Sequence, residues 1–90
     1  MNFIQRAYYS VRVQVTKSAE KYLQPGEKAI ATEAINAHVE NKKMEERRGV
    51  TDAVINSQLH ATADDPKEHW TVNFKAGEKH VTTHHVYPEK

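Results

Sequence analysis

Residues 8–16, YYSVRVQVT, alternate without a slip: Tyr9, Val11, Val13 and Val15 fall on one side, and Tyr8, Ser10, Arg12, Gln14 and Thr16 on the other. A period of two predicts a strand with one buried face, and valine at every second place stiffens it for a pleated surface. Lys17 to Gln24 has no clear period, so a connector or short helical turn is expected, with Tyr22 and Leu23 available to the core. Pro25 and Gly26 then punctuate the chain.

From Glu27 the period lengthens. Ile30, Ala31, Ala34, Ile35, His38 and Val39 form one apolar stripe, which predicts a helix running to about Arg48. Proline and Glu27 suit its start; Arg47, Arg48 and then Gly49 suit its end. Beyond Val39 the stripe thins to Met44, so the last turns should project into water and offer a charged surface. Val50 to Ala63 fits either a strand burying Ala53, Ile55, Ser57, Leu59 and Ala61 or a helix grouping Val54, Ile55, Gln58 and Leu59. The strand accounts for more residues, and Gly49 already supplies a helix stop.

Residues 63–68, ADDPKE, read as a polar loop, and the remainder as a hairpin: HWTVNFK, the turn AGEK, then HVTTHHVYP. With Lys75 opposite His80, Phe74 pairs with Val81, Val72 with Thr83 and Trp70 with His85 on an apolar face. Asn73 then pairs with Thr82 and Thr71 with His84 on a polar one. The expected fold is α+β: an antiparallel sheet of about four strands with one long helix on one face, in the order β-α-β-β-β, as a single small domain over residues 1–90. Trp70 and Tyr87 belong to its core.

Composition narrows the chemistry. The 90 residues contain no Cys, which excludes disulfides, thiolate metal sites and a Cys nucleophile, and is consistent with a reducing, cytoplasmic setting. No 18-residue apolar run occurs, so neither a membrane span nor an export signal is expected. The net charge of +1 hides a pattern: residues 1–19 hold Arg6, Arg12 and Lys17 without an acid, whereas residues 49–68 hold Asp52, Asp64, Asp65 and Glu68 against Lys67.

His69, His80, His84 and His85 invite a zinc reading. However, His80 and His84 would lie about 13 Å apart along a strand, and His84 and His85 would point to opposite faces. Only a cross-strand or intersubunit partner could complete such a site, so no metal and no cofactor are expected. The stripe should instead gain charge as pH falls. Ser10, Ser18 and Ser57 sit in no glycine-framed turn, Asp64 and Asp65 read as a solvated turn, and three glycines leave no phosphate-cradling loop. No catalytic residue stands out, and the chain reads as a non-enzyme.

Binding is the remaining class. The polar face would gather Tyr8, Arg12, Lys75, His80, Thr82 and His84 with Ser10, Gln14, Thr71 and Asn73, and it lacks an acid. Unpaired sheet edges favour a protein partner, for a regulatory or inhibitory adaptor, and could also pair two copies into a homodimer. The alternative is single-stranded nucleic acid, stacked on Tyr8 and neutralised by Arg12 and Lys75.

Overall fold

The structure is a computed structural model describing residues 11–42 and 49–88. Its elements are β1 (Arg12–Val15), α1 (Lys17–Glu20), α2 (Glu27–Lys42), β2 (Asp52–Ile55), β3 (Trp70–Ala76) and β4 (Lys79–Val86). The fold is α+β: a four-stranded sheet in the order β1-β2-β3-β4 with one main helix. The start of the first strand, including Tyr8, and the end of the long helix lie outside the described residues.

Thr16 ends β1 and caps α1, its hydroxyl accepting the Ala19 amide at 3.2 Å. Tyr22, expected in the core, is 60% exposed. Along α2 the buried stripe is Ala31, Ala34, Ile35 and Val39. Ile30, assigned to it by spacing, is 56% exposed because it falls on the flank, about 100° around the helix from Ala31. Glu27 organises the helix start, where its carboxylate accepts the Gln24 amide at 2.8 Å, the Leu59 amide at 3.3 Å and the Trp70 indole N–H at 2.9 Å.

The sheet is mixed rather than wholly antiparallel. β1 and β2 run parallel, with Val13 beside Ala53 and Val15 beside Ile55, and the other two pairings are antiparallel. The cause is the intervening 16-residue helix, which carries the chain back along the sheet before β2 begins. Val50 to Ala63 supplies a strand, as expected, burying Ala53 and Ile55, but a short one: the chain leaves the ladder at Asn56, whose amide bonds Thr71 O at 2.8 Å. Trp70, Val72, Phe74 and Val86 complete the core with Val11, Val50 and the helix stripe.

The hairpin turns at Gly77, whose φ of 65° suits the two-residue turn between Ala76 and Lys79. Lys75 faces His80 as expected, but the register then slips by one residue between Phe74 and Lys75. Val81 is the extra residue, so Phe74 pairs with Thr82, Val72 with His84 and Trp70 with Val86. A one-residue slip reverses every later side chain. Thr82 and His84 therefore belong to the helix side, and Thr83 and His85 to the opposite face.

Candidate functional site

The residues expected to form one polar surface separate into two groups. Arg12, Lys75 and His80 share the face away from the helix, joined through β2 in a single row: Arg12 beside Asp52, Asp52 beside Lys75, Lys75 beside His80. The row is not acid-free. Asp52 stands in its middle, 3.6 Å from Arg12 Nε, and its other oxygen accepts the Thr51 hydroxyl at 2.6 Å. Arg12 is exposed and its pairing is a surface contact, worth about 0–1 kcal/mol. Arg12, Gln14, Thr51, Asp52, Lys75, Gly77 and Glu78 line a shallow open depression here.

Thr82 and His84 lie on the other side of the sheet. The rings of His84 and His38 meet at 2.9 Å between Nδ1 and Nε2, and His38 stacks on Phe74 with ring centroids 6.1 Å apart. His84 is thus fixed between helix and core and cannot join Lys75. Thr83 occupies the polar position instead, donating its hydroxyl to Asn73 Oδ1 at 2.7 Å and accepting from His80 Nε2 at 2.9 Å.

A second cluster gathers where residues 56–69 fold across the end of the sheet. His60 and His69 form an isolated antiparallel bridge, exchanging both backbone hydrogen bonds at 3.1 and 2.8 Å. Each ring anchors itself two residues back: His60 Nδ1 donates to Gln58 O at 2.8 Å, and His69 Nδ1 to Lys67 O at 2.7 Å. The His69 ring is fully buried. His85 stacks on it at 3.8 Å with 13° between the planes, His60 tilts against it at 5.0 Å, and Tyr87 meets it edge-on.

Asp65 closes this corner. Its Oδ2 accepts the Tyr87 hydroxyl at 2.6 Å and His85 Nδ1 at 2.9 Å, and lies 3.5 Å from His69 Nδ1. Those donors hold the carboxyl at a pKa of about 2, the Tyr87 bond contributing most and the His85 bond next. The same bond pushes the Tyr87 phenol above its ordinary value, since ionising it would place a second negative charge against Asp65. Lys67 Nζ sits 4.8 Å above the Tyr87 ring and screens the far side. Sequence reasoning took Asp65 for a solvated turn. The signal it lacked was the Val81 bulge, which puts His85 on the face of His69; Pro66 and the run of histidines alone do not show it.

The outer edge of β4 is the third feature. β4 pairs with β3 alone, and no backbone hydrogen bond to another segment is made along its eight residues among those described. Comparison with known proteins adds no relative: no family model, curated protein or solved structure matches this chain.

Proposed function

We propose that this chain is a non-catalytic, cytoplasmic binding protein, a regulatory or inhibitory adaptor that takes up an extended segment of a protein partner along β4. The observation that carries this reading is the outer edge of β4, which no other strand covers among the described residues. Eight residues of strand offer main-chain donors and acceptors on the side away from β3, and a strand added there would satisfy them. The Val81 bulge spoils regular pairing at the start of β4, leaving Thr82 to Val86 as the docking stretch.

Charge favours a foreign acidic segment over a second copy of β4. Lys79 to Val86 contains one Lys, three His and no acid. Two copies paired antiparallel about Thr82 and Thr83 would bring His80 against His85, whereas an acidic strand would find Lys79 at one end and no acid along the rest. The nucleic-acid reading has less support, because Asp52 stands between Arg12 and Lys75, and Thr82 and His84 face the helix.

The test uses two synthetic ten-residue peptides, one alternating Val and Glu, the other Val and Lys, with Thr82→Pro and Thr83→Pro variants. Consecutive amides alternate in direction, so one of the two prolines removes an outward amide and the other an inward ladder bond. The acidic peptide should bind wild type and fail with whichever variant stays folded, while the basic peptide should not bind. Equal binding of both peptides, or unchanged binding by the folded variant, overturns the reading, as does a wild-type dimer in light scattering that the acidic peptide does not dissociate.

A further inference from the structure

The buried corner has a property that its structural role leaves unexplained. His69 Nδ1 donates to a backbone carbonyl, so the ring's remaining valence is at Nε2, and that atom is sealed from solvent with no hydrogen-bond partner among the described residues. A fully buried nitrogen left without a partner costs about 1–3 kcal/mol. Neither tautomer relieves it, since a protonated Nε2 would lack an acceptor and a bare one lacks a donor. In the same corner one ligating atom each of Asp65, His69 and His85 lies within 4.8 Å of the others, and His69 presents Nδ1 to Asp65 at 3.5 Å.

We propose that Asp65, His69 and His85 hold a divalent transition-metal ion of the zinc class. Two imidazoles and one carboxylate form a donor set suited to zinc, cobalt or nickel, whereas calcium and magnesium prefer oxygen alone. The surroundings match what metal-bound histidines use. The Lys67 carbonyl fixes the His69 ring through Nδ1 and leaves Nε2 for the ion, and the Tyr87 hydroxyl supplies a hydrogen bond to the Asp65 carboxylate. The ion supplies the electron-pair acceptor that Nε2 lacks.

Two movements are required: the Asp65 carboxylate, which lies 3.5 Å from His69 Nδ1, shifts toward Nε2, and His85 leaves the stack. A metal lies in the plane of each imidazole that binds it, and the His69 and His85 rings are stacked nearly parallel at 3.8 Å. The His69 ring is enclosed and stays. The His85 side chain is 40% exposed, so it turns out of the stack, exchanging its hydrogen bond to Asp65 for the ion.

The experiment titrates the untagged full chain with zinc sulfate by calorimetry and with cobalt chloride by visible absorption, at neutral pH. Wild type should bind one ion per chain, cobalt should give the intense bands of a four-coordinate site, and the His85 ring protons should lose the upfield shift of the stack. Asp65→Asn and His85→Ala should each weaken binding at least tenfold, while His80→Ala and His84→Ala should leave it unchanged. His69 is too buried to be the sole probe; His85→Ala, at an exposed position, keeps the test independent of folding. No binding at millimolar zinc overturns the proposal. So does binding that survives His85→Ala, or that depends equally on His80, which marks adventitious histidine contacts only.

Discussion

The row Arg12–Asp52–Lys75–His80 and the corner Asp65–His69–His85–Tyr87 lie on the same face of the same sheet and are built from similar residues, yet they differ in kind. The row is open: its long side chains meet water, and its Arg12–Asp52 ion pair is a surface contact at 3.6 Å. In the corner, residues 56–69 fold over the sheet, burying a histidine completely and bringing two hydrogen-bond donors, with the His69 ring beside them, to one carboxylate oxygen. The fold of the loop fixes the geometry of the corner, and the Tyr87 and His85 hydrogen bonds it brings together lower the Asp65 pKa. The row supplies charge, and the corner supplies positions.

The most severe way to break this contrast is to remove the floor of the corner. Trp70 is 1% exposed, follows His69 directly and ties β3 to the start of α2 through Glu27. Trp70→Ala should cost about 3–5 kcal/mol in urea unfolding. Trp70→Phe retains most of the apolar contact and loses the indole bond to a charged acceptor, so about 2 kcal/mol is expected. A negligible cost for Trp70→Phe would show that the Glu27 bond contributes little.

Acid probes the corner more finely. The Asp65 carboxyl is depressed from 3.8 to about 2, so the stability it contributes is complete above its ordinary pKa and is lost as pH falls through about 2. Tyr87→Phe removes the largest cause of the depression, and the carboxyl should then titrate closer to 3.8, with a smaller loss of stability between pH 5 and pH 2. Carboxyl carbon NMR shifts against pH would read both. The phenol has the opposite sign: its raised pKa contributes stability below pH 10 that disappears as alkali ionises it. An unshifted Asp65 would show that the Tyr87 and His85 bonds do not hold its carboxylate.

The smallest effect belongs to the row. Arg12→Ala should change unfolding free energy by no more than about 0.5 kcal/mol, because the exposed pair with Asp52 is screened by water. A cost above 1.5 kcal/mol would mean that the row is as organised as the corner.

The sequence made the elements legible, and the reasons are local. Val11, Val13 and Val15 alternate, Ala31, Ile35 and Val39 keep the helical period, and Gly77 marks the tight turn, so strand, helix and hairpin each carried their own signal. Parallel pairing of β1 with β2 was also available, since two neighbouring strands joined by a long helix are connected as parallel pairing requires. The bulge was not. From Val81 to Val86 the chain reads VTTHHV, whose inner four residues are polar whichever way they are turned, so alternation gives no penalty for a one-residue slip. That slip removed Thr82 and His84 from the expected surface and brought His85 to His69. The acid-free face failed for a different reason: the first residue of β2, Asp52, had not been placed between its neighbours. Asp65 was illegible because a turn carboxylate acquires partners only through the path of the loop around it.

The free edge of β4 is the centre of the functional proposal, and it is tested most directly by amide chemical shifts of the labelled chain as the Val–Glu peptide is added. The account expects changes concentrated on Thr82 to Val86, with slowed exchange of alternate amides and little change at Arg12 or Lys75. Changes centred on Arg12 and Lys75 with β4 untouched would contradict it.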